Sequence, residues 1–176
     1  MTRQGPGRIY EGRAIHLDLE RVVLPNGDEV ELEIVRHPGG AAVAAIDDRA
    51  RVCVLRQYRH AAGGWLWELP AGKLDAGEAP ATTARRELAE EAGVSAARWT
   101  PLGRMVSSPG VFTEVVHLFL AQDLAPVPSA HEPGECLEVH WLPLRDAVDR
   151  ALAGDIEDAK TVIGLLRADT VLRDPA

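Results

Sequence analysis

Between Gly72 and Val94 the chain places Glu78, Glu87, Glu90 and Glu91 with Arg86 directly before Glu87. Downstream of the glycine-bearing stretch Gly72-Lys73-Leu74-Asp75-Ala76-Gly77, Glu87, Glu90 and Glu91 lie three and four residues apart, so a helix there puts their side chains on one face and turns Leu88 toward another. Like charges stacked this closely destabilise an ordinary surface helix unless a cation or an arginine neutralises them. Ligands that are all oxygen suit the hard ions Mg²⁺, Mn²⁺ or Ca²⁺ better than Zn²⁺, and Mg²⁺ usually keeps waters and takes substrate phosphate oxygens as further ligands. The expected substrate is therefore a phosphate ester or anhydride. A lone Glu-x-x-Glu-Glu is ordinarily a solvated helix face; here it comes with a fixed glycine, arginine and aliphatic frame.

Gly72, Glu78, Arg86, Glu87, Leu88, Glu90, Glu91, Gly93 and Val94 resemble the signature of the Nudix hydrolases, G-x5-E-x7-R-E-U-x-E-E-x-G-U with U a bulky aliphatic, and every fixed position is matched. The resemblance implies a loop-helix-loop that binds divalent cations and hydrolyses a nucleoside diphosphate linked to some other group. Four further segments are similar to the ADP-ribose and nucleoside-diphosphate-sugar pyrophosphatases of that superfamily: Arg56-Gln57-Tyr58-Arg59, Trp67-Glu68-Leu69-Pro70-Ala71-Gly72, Ser108-Pro109-Gly110 with Glu114, and Asp158-Ala159-Lys160-Thr161. What this implies is hydrolysis of ADP-ribose to AMP and ribose 5-phosphate. Mg²⁺, with Mn²⁺ as a substitute, would be held by Glu87, Glu90, Glu91 and the backbone carbonyl of Ala71. Arg59, Arg56, Glu68, Pro109 and Glu114 are implied at the substrate, and Arg86 and Glu78 behind the ligands. The general base resembles a glutamate on the loop before the strand near Glu138, which leaves Glu132 and Glu135 as a catalytic pair beside Glu91. Two other readings stay open: a pyrophosphatase for GDP-mannose or ADP-glucose, and an ADP-ribose sensor without turnover.

The residues themselves agree with a phosphate site. Arginine forks onto phosphate oxygens, and strand alternation sends Arg56 and Arg59 to opposite faces. Tyr58, Trp65 and Trp67 either stack on an adenine or fill a core or interface, the second being the commoner use of such side chains.

The elements that must carry these groups follow from periodicity and turn chemistry. Strand patterns over 13–24 and 29–36 flank Pro25-Asn26-Gly27-Asp28, a hairpin-turn signal. Apolar runs at 41–46 and 51–56 read as strand, turn, strand. A short strand over 65–70 delivers the chain into the Gly72 loop. Thr82 or Thr83 is expected to cap a helix that ends near Ala92, with Gly93 as its stop. Strands follow over 99–106 and 115–121, then a mobile acidic loop over 126–135, a strand over 138–142, and helices over 144–152 and 156–168. This pattern predicts an α/β class fold, α+β with a mixed sheet. The resemblance implies a Nudix-type α/β/α sandwich over 41–176 and an N-terminal antiparallel β-hairpin extension over 1–40, with homodimers that exchange N-terminal strands.

Composition sets the outer bounds. At 176 residues, 46% hydrophobic, the chain can bury a core of ordinary size. A formal charge of −8 argues against nucleic acid as a partner. The absence of an N-terminal apolar region or a membrane-length apolar run predicts a cytoplasmic protein with no membrane partner. Cys53, within Val52-Cys53-Val54, is expected in the core and Cys136 at a strand edge, both reduced. The six histidines form no metal-ligand spacing.

Overall fold

The Asn26-Gly27 turn sets the first register. Gly27 takes a φ of 93°, a conformation that favours glycine, and Leu24 exchanges backbone bonds with Asp28 and Gly27. Strand β2 (His16–Val23) thereby pairs antiparallel with β3 (Glu29–Arg36), from His16 opposite Arg36 to Val23 opposite Glu29. A further strand, β1 (Gly7–Glu11), joins the outer edge of β2, with a register shift between Arg8 and Tyr10. Sequence periodicity does not reveal β1, because all five of its residues are exposed and it has no buried face to set a pattern.

The computed structural model describes residues 7–131 and 134–174. The chain divides into two units, 1–39 with 106–115 and 40–105 with 116–176. In the first unit, Val35 bonds through its backbone to Val111 and Thr113, so the segment after Val106 runs beside β3.

The second unit is built around β4 (Gly40–Ala45), which has no side chain larger than valine and is buried at every position. Its alternation explains why. Ala42 and Ala44 enter one core with Val52, Val54, Leu118, Leu120 and Leu165, whereas Ala41, Val43 and Ala45 enter another with Cys53, Ala84, Leu88 and Ala121. Helices lie over both faces, and this is the α/β/α layering. The strands that follow are β5 (Arg51–Arg59), β6 (Gly64–Glu68) and β7 (Ala71–Lys73). Helix α1 (Pro80–Ala92) leads into β8 (Val94–Val106), β9 (Val115–Pro126) and β10 (Leu137–Pro143), and α2 (Leu144–Ala153) and α3 (Ala159–Arg173) close the unit. One sheet has the order β7-β4-β9-β8, with β4 and β9 parallel; the other has the order β10-β5-β6. The turn at Asp47 to Arg51 forms as its sequence predicts, but the strands it joins share only the bridge of Ile46 with Val52 before they enter different sheets.

Three expectations need correction. Helix α1 begins at Pro80 with Ala79 as its N-cap, without a threonine cap. Proline's fixed φ suits the first turn, and Thr83 is buried with its hydroxyl donating to Glu78. Helix α3 begins later than residue 156, because Asp158 accepts from the Thr161 amide and caps it there. The acidic loop is not loose in its described part: Val127 donates to the Gly93 carbonyl, Ala130 to the Glu90 carbonyl, and His131 Nε2 lies 3.0 Å from the Glu91 carbonyl.

Candidate active site

The glycine-bearing loop and α1 are tied by Glu78. Its carboxylate accepts from the Asp75 amide at 3.2 Å, from Thr83 Oγ1 at 2.8 Å and from Arg86 Nη2 at 3.1 Å. These bonds, Arg86 first, hold its carboxyl down to about 2. Arg86 is the hub: Nη1 donates to Glu87 at 2.7 Å and to Glu90 at 3.1 Å, while Nη2 also reaches the Lys73 carbonyl at 3.2 Å. It neutralises the stacked acids and clips β7 to the helix. A Cβ at Gly72 would run into the Glu87 carboxyl group, so any side chain there would displace that acid.

Thr83, Glu87 and Glu91 form one buried row of α1, beside Ala84 and Leu88, which enter the core. Glu90 stays half exposed. Glu91 is 3% exposed and accepts from the Ala71 amide at 2.8 Å. Burial, with the charges of Glu87 and Glu135, pushes its carboxyl up to about 8 against the opposing Ala71 bond. Glu87 is raised by burial too, with Arg86 opposing and Glu90 and Glu135 adding. Glu135 thus lies within electrostatic reach of both buried acids. Glu132 falls outside the described residues.

Among the described residues no three acid, histidine or cysteine side chains converge on one point. Glu87 and Glu90 turn to Arg86, and Glu91 turns to Ala71. The chemistry of the set nonetheless fits a hard divalent cation. Its donors are carboxylate and carbonyl oxygens, and crowded carboxylates with raised proton affinity are groups that exchange protons for a metal.

Arg59 stands beside this cluster. Its Nε and Nη2 donate to Glu68 at 2.7 and 2.9 Å, and the charge of Glu91 is among the causes that raise its pKa, after the Glu68 bond. Glu68 is buried, and Lys160 Nζ also donates to it at 2.6 Å, on the oxygen that Arg59 Nη2 reaches. Burial pushes the Glu68 carboxyl up, but Arg59 and Lys160 together hold it below the ordinary range.

Arg56 occupies the other face of β5, over the Trp65 ring at 5.5 Å. Tyr58 and Trp65 are exposed, which removes the core from the alternatives and leaves an adenine or an interface. Val52 and Val54 on the same face reach the core, and the strand then runs beyond it at Arg56 and Tyr58. Trp67 does pack against that core, with Arg150 at 4.7 Å from its ring. Cys53 is buried and its thiol pushed up to about 12, chiefly by burial, while Cys136 is exposed. Pro109 and Glu114 belong to the first unit, where Glu114 lies 3.3 Å from His37 Nδ1.

Sequence reasoning gave no role to Lys160, His131 or His37. For Lys160 a signal existed: Glu68 in the apolar run Trp65-Leu66-Trp67-Glu68-Leu69 predicts a buried carboxylate that needs cations. His131 and His37 act through backbone atoms and neighbours that only the fold brings together.

A NUDIX domain model matches residues 36–163. The ADP-ribose pyrophosphatase of Bacillus subtilis is 39% identical over 160 residues, covering 90% of this chain and 86% of the relative. That of Mycobacterium tuberculosis is 39% identical over 166 residues, covering 93% and 80%. The crystal structure of an ADP compounds hydrolase matches with a TM-score of 0.83 at 24% identity, over 98% of this chain and 94% of that one, a likeness of fold. Together with the acid row of α1 and the loop that Glu78 and Arg86 tie to it, these matches place the chain in the Nudix family.

Proposed function

We propose that the chain is a Mg²⁺-dependent pyrophosphohydrolase that cleaves ADP-ribose to AMP and ribose 5-phosphate, in the cytoplasm and as a homodimer with exchanged N-terminal strands. The observation that carries the reading is the buried pair Glu87 and Glu91, with Glu135 in electrostatic reach and Arg59 beside them. The names of the two relatives support the choice of ADP-ribose. No helix among the described residues is long and apolar enough to cross a membrane.

Glu87, Glu90 and Glu91, with the Ala71 carbonyl, would hold the cation. A bound divalent ion supplies positive charge against pyrophosphate oxygens and makes a bound water more acidic. Arg59 contributes its guanidinium to the phosphates, and Arg86 and Glu78 keep the acid row in place. Glu135, with Glu132, receives the proton of the attacking water. The water oxygen bonds to the phosphorus nearest adenosine, that phosphorus releases the bridging oxygen, and the bridging oxygen leaves on ribose 5-phosphate. Substrate roles for Arg56, Pro109 and Glu114 rest on the family resemblance.

The test is steady-state hydrolysis of ADP-ribose beside GDP-mannose, ADP-glucose and NADH with Mg²⁺, with products separated by chromatography. AMP and ribose 5-phosphate at the highest kcat/KM, abolished in Glu91→Gln, is the expected result. Preference for another compound moves the substrate and keeps the chemistry, whereas binding without turnover makes the chain a sensor.

A further inference from the structure

Lys160 has no part in the mechanism above, yet it completes a chain of contacts that ends at Arg59. We propose that Lys160 is a positioning residue: by filling one side of the buried Glu68 carboxylate it fixes the plane in which Glu68 holds the Arg59 guanidinium toward the substrate phosphates. The proposal rests on the reading of Arg59 as a substrate contact.

Glu68 ends β6 with its side chain 2% exposed. A buried carboxylate stays charged only when its lone pairs are filled, and losing one partner leaves it poorly satisfied. Oε1 takes Arg59 Nε, while Oε2 is shared by Arg59 Nη2 and Lys160 Nζ. Lys160 is fixed in turn by Asp158 at 3.0 Å, and Asp158 caps α3 through the Thr161 amide. Thr161 Oγ1 accepts from the Leu69 amide at 2.8 Å, so the first turn of α3 grips both the Glu68 carboxylate and the backbone just after it. Each link is a short bond to a buried or helix-anchored group.

The free end of this chain is Arg59, whose side chain is 41% exposed. Its fork onto Glu68 is therefore what aims it, with Nε on one carboxylate oxygen and Nη2 on the other. A guanidinium that swings away from that direction is lost to a phosphate. The bidentate fork onto Glu68 prevents this only while the carboxylate plane is held, and Lys160 is the second group that holds it.

The experiment uses the full chain with ADP-ribose and Mg²⁺ and compares Arg59→Met, Lys160→Met, the double variant and Lys160→Arg, with thermal melting alongside. Arg59→Met should raise KM roughly tenfold or more, the scale of one charge-assisted hydrogen bond, with a smaller change in kcat. Lys160→Met should raise KM in the same direction, the double variant should be no worse than Arg59→Met, and Lys160→Arg should restore KM. An unchanged KM in Lys160→Met beside a raised one in Arg59→Met overturns the positioning role, as does a double variant in which the two effects multiply. If Arg59→Met itself leaves KM unchanged, the reading of Arg59 fails and the proposal falls with it. Should Lys160→Met not fold, Lys160→Ser, polar but too short to reach Glu68, takes its place: a raised KM that does not multiply with Arg59→Met supports the positioning role, and an unchanged KM overturns it.

Discussion

At Glu91 the demands of stability and chemistry oppose each other. Its carboxyl is pushed up to about 8 by burial and by Glu87 and Glu135, against an ordinary value near 4.5. A raised acid pKa means the folded chain holds a proton that the unfolded chain has released, so this contribution to stability is complete below about pH 4.5 and is lost as pH rises through about 8. With divalent cations chelated, Glu91→Gln should therefore melt higher than the parent at pH 9, by several degrees at about 2–4 °C per kcal/mol, and show little difference at pH 5. The same variant should lose nearly all hydrolysis with Mg²⁺ present. Equal melting at both pH values would mean that the fold does not raise the Glu91 pKa in the chelated protein. Glu78 runs the other way. Arg86 and Thr83 hold its carboxyl at about 2, so its contribution is present above about pH 4.5 and is lost as pH falls toward 2. Glu78→Gln should flatten the acid limb of the unfolding curve between those values, which circular dichroism across an acid titration would record.

An element works here only when a neighbouring element leaves it room. Helix α1 carries the acids, but β7 decides where Glu87 rests, because the backbone of Gly72 lies where a side chain would strike that carboxyl. Gly72→Ala should lower stability by about 1–3 kcal/mol, the usual effect of overpacking, and lower kcat on the order of 100-fold by displacing Glu87. A melting curve and a progress curve on one preparation measure both; unaltered kcat with lowered stability would place Glu87 outside the chemistry. The sequence made α1, its end at Gly93 and the shared acid face legible, because helical spacing and an αL glycine are local facts. It made the start of α1 ambiguous, since Thr83 looks like a cap until Glu78 claims its hydroxyl. Aromatic type alone left Tyr58 and Trp65 between an adenine, a core and an interface, and the core ends before it reaches them. The bond from Lys160 to Glu68 spans 92 residues of sequence, a separation that no periodicity bridges. Glu135 entered the site through family resemblance, because nothing in its local sequence points to α1.

For the molecule as a whole, the N-terminal sheet poses the main question. All of β1 is exposed, Ile9 and Tyr10 are 55% and 57% exposed, and Leu32 on β3 is exposed too. A three-stranded sheet with apolar residues open to solvent and a short, fully exposed edge strand, β1, is marginal unless something covers it. A second copy of the chain is the partner that the proposed exchange of N-terminal strands supplies, and a symmetric pair would cover both sheets at once. Sedimentation equilibrium should therefore give twice the chain mass of 19.0 kDa at micromolar concentration. Replacing Ile9 and Tyr10 together by serine should shift the protein toward monomer and lower kcat/KM for ADP-ribose in proportion to the dimer lost. A parent chain that sediments as a monomer throughout would remove the exchange from the proposal, and an active monomer would show that one chain carries a whole site. Dimers untouched by the two serines would move the interface away from β1 while leaving the acid row of α1, which belongs to a single chain, as it stands.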